Sequence, residues 1–68
     1  MSINDLEEKI YWYIEEKDCK PTLIIVDNVF MEYINKAIQL PIVNKELKFN
    51  DIRIISSKEL KANEVIIF

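Results

Sequence analysis

Sixty-eight residues, half of them apolar and carrying nine basic against twelve acidic side chains for a net charge of −3, make one small domain spanning residues 1–68. The scattered Lys and Arg argue against nucleic acid as a partner. No apolar run reaches the roughly 20 residues that cross a bilayer, and no basic-then-apolar leader opens the chain. With no glycine and no histidine, phosphate loops, nucleophile elbows and dinucleotide fingerprints are excluded, while the lone Cys19 has no disulfide partner and no base to activate it, which suits a reducing cytosol.

In chain order, the first helix starts at Ser2, where a hydroxyl at the cap and Asp5 three residues on form a capping-box variant. It ends near Lys17 or Asp18, because Pro21 holds Lys20 extended. Ile3, Leu6, Ile10, Tyr13 and Ile14 fall within about 100° of one another and predict the buried stripe. Tyr11 sits at its margin. Trp12 lies about 180° from Ile3, among Asp5, Glu8, Lys9 and Glu16. There it folds back over Lys9 or Glu16, is covered by the free sheet face of a neighbouring copy, or fills a pocket on a partner, so Trp12, Lys9 and Glu16 are the candidate interaction surface.

The next stretch, Thr22–Val26, is a short apolar run rich in β-branched residues and predicts a buried strand. Asp27 and Asn28 follow at once as cap residues, and the second helix runs from Asn28 to Gln39, stopped by Pro41. Residues 42–51 are either a small hairpin, with Asn44-Lys45 turning between Ile42-Val43 and Leu47–Phe49, or a crossover loop. A second strand spans Ile52–Ile55, a polar connection spans Ser57–Glu64, and a third strand, Val65–Phe68, reaches the last residue. Turns without glycine fall to Asn44, Asn50-Asp51 and Asn63, the residue types that best tolerate positive φ.

The predicted fold is an α+β, two-layer α-β-α-β-β domain: a three-stranded mixed sheet with two helices on one face. The first two strands run parallel through the helical crossover. The third returns antiparallel, beside the second strand or beyond the first. The other sheet face is left uncovered, and its Ile and Leu side chains call for a partner.

The succession of an amphipathic helix, Pro21-Thr-Leu-Ile-Ile-Val-Asp-Asn28 ahead of a second helix, Phe49-Asn-Asp-Ile-Arg-Ile-Ile-Ser56 and a final Glu64-Val-Ile-Ile-Phe68 resembles the axial domain of tailed-phage major capsid proteins. The resemblance covers nearly the whole chain through short apolar motifs. Asn28 stands where that family often has proline, Asn50-Asp51 replaces its usual glycine, and no counterpart of the long spine helix, peripheral domain or extended arms is present. The resemblance implies a phage or prophage origin and an assembly surface rather than a complete coat protein.

No catalytic, cofactor-binding or metal-ligating set emerges from the residues. Glu7, Glu8, Glu15 and Glu16 read as the solvated face of the first helix. Asp27, Asn28 and Asp51 could converge at the carboxyl ends of parallel strands, where open α/β sheets bind ligands, although capping and turn formation already account for each. The expected function is that of a non-enzymatic protein-interaction module, structural or regulatory, resembling a capsid subdomain. It needs no cofactor, acts in the host cytosol or virion, and binds a protein partner or itself, with neither nucleic acid nor membrane. The alternative is a small-ligand or metal-binding domain built on Asp27 and Asp51.

Overall fold

Local chemistry at Ser2 starts α1 (Ile3–Lys17): the Ser2 hydroxyl accepts from the Asp5 amide at 3.1 Å and the Asp5 carboxylate accepts from the Ser2 amide at 2.9 Å. The Ser2 amide, then its hydroxyl, hold the Asp5 carboxyl below the usual carboxylate range, helped by the N-terminal ammonium and Lys9. The helix ends on Asp18 in the left-handed region, whose amide still bonds the Ile14 carbonyl.

The computed structural model describes residues 1–68, and its elements after α1 are β1 (Leu23–Asp27), α2 (Asn28–Ala37), β2 (Ile42–Val43), β3 (Glu46–Phe49), β4 (Ile52–Ser57) and β5 (Val65–Ile67). They form one mixed sheet in the order β2-β3-β4-β1-β5. β1 and β4 are parallel, with Ile24 opposite Ile54, and every other pair is antiparallel. The expected α+β domain with two helices is therefore present, but the sheet has five strands where three were expected.

The two added strands come from residues 42–51, which take the hairpin alternative. Asn44 and Lys45 both have positive φ, 53° and 66°, as do Asn50 and Asp51, at 50° and 66°. Positive φ at both central residues marks the tight two-residue turn whose twist matches paired strands. Two such turns fold the segment back twice, joining β2 to β3 and β3 to β4. Asn63 is left-handed as expected, while Asp18 and Lys45 join the set without having been anticipated. Lys45 has no side-chain acceptor to favour that conformation, which disfavours an ordinary L-residue by about 1–2 kcal/mol. Lys45→Gly is expected to raise stability by about 1 kcal/mol. A higher urea midpoint at unchanged slope would register the gain, whereas a lower one would mean that the lysine side chain, not the backbone, sets this turn.

Alternation along the strands separates two faces. Ile24, Val26, Phe49, Ile52 and Ile54 point to the covered side and join Leu6 and Ile10 of α1, Phe30, Met31 and Ile34 of α2, and Leu40 in a single core. Both helices thus lie on one face. α2 is shorter than expected: Ile38 turns extended after its amide has bonded the Ile34 carbonyl, and Leu40 returns to the core just before Pro41. α1 also contributes less than its stripe suggested, since Leu6 and Ile10 are its only buried residues and Ile14 is 39% exposed. Beyond Ile10 the helix keeps only Tyr13 half-buried.

The final strand takes the place beyond β1. Val65 and Ile67 pack against the core, and Leu23 and Phe68 exchange backbone hydrogen bonds at 3.4 and 2.9 Å. To get there, the connection from β4 crosses the carboxyl end of β1, and that crossing is held by Asp27.

Candidate functional site

On the side of α1 turned away from the core, Tyr11 and Trp12 face solvent, 55% and 56% exposed. The two rings meet edge to face, with centroids 5.3 Å apart at 82°, a favourable arrangement for neighbouring π systems. Side chains on a helix lean toward its N-terminus, so Trp12 lies back over the preceding turn. There it lines an open depression with Asp5, Glu8, Lys9, Met1 and Asn63. Trp12 and Lys9 of the candidate surface are thereby brought together. Glu16 is exposed one turn further on and does not line the depression. Trp12 thus packs on Tyr11, its chain neighbour, which the wheel had placed about 100° away.

Asn63 ties this surface to the end of the sheet. Its side-chain carbonyl accepts from the Met1 ammonium at 2.9 Å, and its amide donates to Asp27 Oδ1 at 3.2 Å. The other carboxylate oxygen of Asp27 accepts from the Phe30 amide at 3.1 Å, capping α2. Asp27 is only 5% exposed, and both oxygens are occupied by backbone donors. A buried carboxylate needs such partners, and here backbone donors supply them without a ligand.

The convergence of Asp27 with Asp51 does not occur. Because β1 and β4 are parallel, with Leu23 beside Arg53 and Asp27 beside Ser57, Asp51 sits before β4 at the end of the sheet opposite Asp27. At about 3.3 Å per residue the two are roughly 20 Å apart. No group of three or more His, Cys, Asp or Glu side chains is placed to hold a metal ion, and Cys19 is an exposed free thiol. No helix is long and apolar enough to cross a membrane.

The second surface of interest is the uncovered face of the sheet. Leu23, Ile25 and Ile55 are half-buried there with no helix over them, and Ile66 and Phe68 are exposed beside them. Along the β3 side the patch is bounded by Glu46, which pairs with Lys48 at 3.5 Å and with Arg53 at 3.6 Å. Comparison of the chain with family models, with curated proteins and with solved structures found no match, so both surfaces are read from their own geometry.

Proposed function

We propose that this chain is a non-catalytic protein-interaction module, structural or regulatory, of phage or prophage origin and related in design to a capsid axial subdomain, acting in the host cytosol or the virion. The order helix, strand, helix, strand supports the kinship with that subdomain. The observation that carries the interaction reading is the exposed Tyr11–Trp12 pair on the outward side of α1. An indole held in water is poorly rewarded, and tryptophan is among the residues that dominate binding energy once it fills a partner's pocket.

The surroundings define the partner's chemistry. Around the ring Asp5 and Glu8 are balanced by Lys9 and the Met1 ammonium, so the matching surface is a protein pocket with an apolar floor and a rim of mixed charge. Wild-type protein and Trp12→Ala, immobilised side by side in an extract of the native host, test this reading. One species should be retained by the wild type and held at least tenfold more weakly by the variant, in line with the ≥ ~2 kcal/mol typical of such anchors. Purified, that species should shift Trp12 emission to the blue and shield it from acrylamide. Equal retention by both proteins would sink the proposal.

A further inference from the structure

We infer that the open face of the sheet seats a second copy of this chain, packed face to face about a two-fold axis. This surface lies on the side of the sheet away from both helices, so it is independent of the Trp12 surface on α1.

Strand register arranges the open face in rows. Lys48, Arg53 and Leu23 lie side by side on β3, β4 and β1, and Phe68 continues the row through its backbone pairing with Leu23. Two residues along, the next row runs Val43, Glu46, Ile55, Ile25, Ile66, where Val43 pairs with Glu46 and Ile25 with both Ile55 and Ile66. The contacts of Glu46 with Lys48 and Arg53 place it on this same face. The patch is thus an apolar block on β4, β1 and β5 with a charged margin on β3.

That pattern is complementary to itself. A second copy turned over about an axis lying between the sheets, perpendicular to the strands and midway between the rows, exchanges one row for the other. Lys48 of each copy then lies over Glu46 of the other, twice. Leu23 lies over Ile25, Phe68 over Ile66, and the methylene stem of Arg53 covers Ile55 while its charged head stays at the rim. Every apolar side chain meets an apolar one and each paired charge meets its opposite, as a closed two-fold interface requires. Sheets packed this way keep their strands within about 30° of alignment.

The edges offer less. β2 has two residues and β5 three, so strand addition at either edge would form few hydrogen bonds. The face is the larger surface: β3, β4, β1 and β5, of three to six residues each and about 4.8 Å apart, give about 300 Å² per copy. The resulting total of about 600 Å² lies under the roughly 1,000 Å² of a stable interface, so the dimer is a weak one that exchanges readily.

Sedimentation equilibrium of the full chain from 10 μM to 1 mM is expected to show the mass rising from 8.1 kDa toward twice that value. Ile66→Lys, with its fold checked by circular dichroism and urea midpoint, should weaken association at least tenfold. Carbodiimide coupling of an equal mixture of ordinary and ¹⁵N-labelled protein should yield a Lys48–Glu46 link joining one labelled and one unlabelled chain. Trp12 emission should stay red throughout, since α1 lies outside the interface. A monomer at 1 mM, Lys48–Glu46 links confined within single chains, or association accompanied by a blue shift of Trp12 would each overturn the inference. The last would move the self-association to α1 and leave the Trp12 reading standing.

Discussion

Removal of Val65–Phe68 is expected to abolish cooperative folding. β5 contributes Val65 and Ile67 to the covered side, where they pack against the core, and closes the outer side of β1. Burying such side chains contributes about 1.5–3 kcal/mol each when complete, so this half-buried pair supplies on the order of 2–3 kcal/mol. Truncation also uncovers part of Ile24 and Val26, which are fully buried in the intact chain. It further strips β1 of the backbone bonds that run between Thr22, Leu23 and Phe68. A chain this short holds only about 3–10 kcal/mol of net stability at 0.05–0.15 kcal/mol per residue. Losing β5 takes most of that and leaves β1 with a bare, apolar edge that invites aggregation. Circular dichroism against temperature is the direct measurement. A truncated protein melting as sharply, and near the same temperature, as the parent would show the strand to be dispensable.

Asp27→Ala is expected to be the most damaging single substitution outside the apolar core, at about 2–3 kcal/mol. Loss of an N-cap costs about 1 kcal/mol, and here a second bond is lost with it, a charge-assisted one to the Asn63 amide. Phe30 and Asn63 are left with unpaired amides, one of them buried. Asp27→Ser separates the two roles. Serine caps α2 well but is too short to reach across to Asn63, so this variant should keep the helix and loosen the 58–64 connection. Urea midpoints should fall in the order wild type, Ser, Ala, and hydrogen exchange at the Asn63 amide should rise in both variants. An unchanged midpoint for Asp27→Ala would hand the cap to Asn28 and remove Asp27 from this role.

The difference between these residues shows where reading along the chain succeeds. The cap by Asp27 was legible because its partner is the amide of Phe30, three residues away. Its hold on Asn63 was not, because that amide is 36 residues distant and reaches Asp27 only once the β4–β5 connection crosses the end of β1. Asp51 shows the same limit from the other side. It is an apt ligand by type, but parallel register puts it at the far end of the sheet from Asp27.

Trp12 was recognisable as an outward residue from helical periodicity alone. Its packing on Tyr11 and its depression shared with Lys9 and Asn63 depend on ring size and on where the loop passes, neither of which periodicity encodes.

Short-range chemistry, then, was decided by the sequence itself. The capping box of α1, the direct passage from β1 into α2, and the left-handed turns at Asn44, Asn50-Asp51 and Asn63 all follow from residue type and spacing. Each involves groups within a few positions of one another, where backbone sterics and side-chain reach leave little choice. Tertiary structure alone decided that residues 42–51 extend the sheet by two strands, that β5 docks on β1 rather than β4, and that α1 buries fully only Leu6 and Ile10. These depend on which apolar surfaces meet across the whole chain, and burial is non-directional: it rewards area removed from water without naming the residue that covers it.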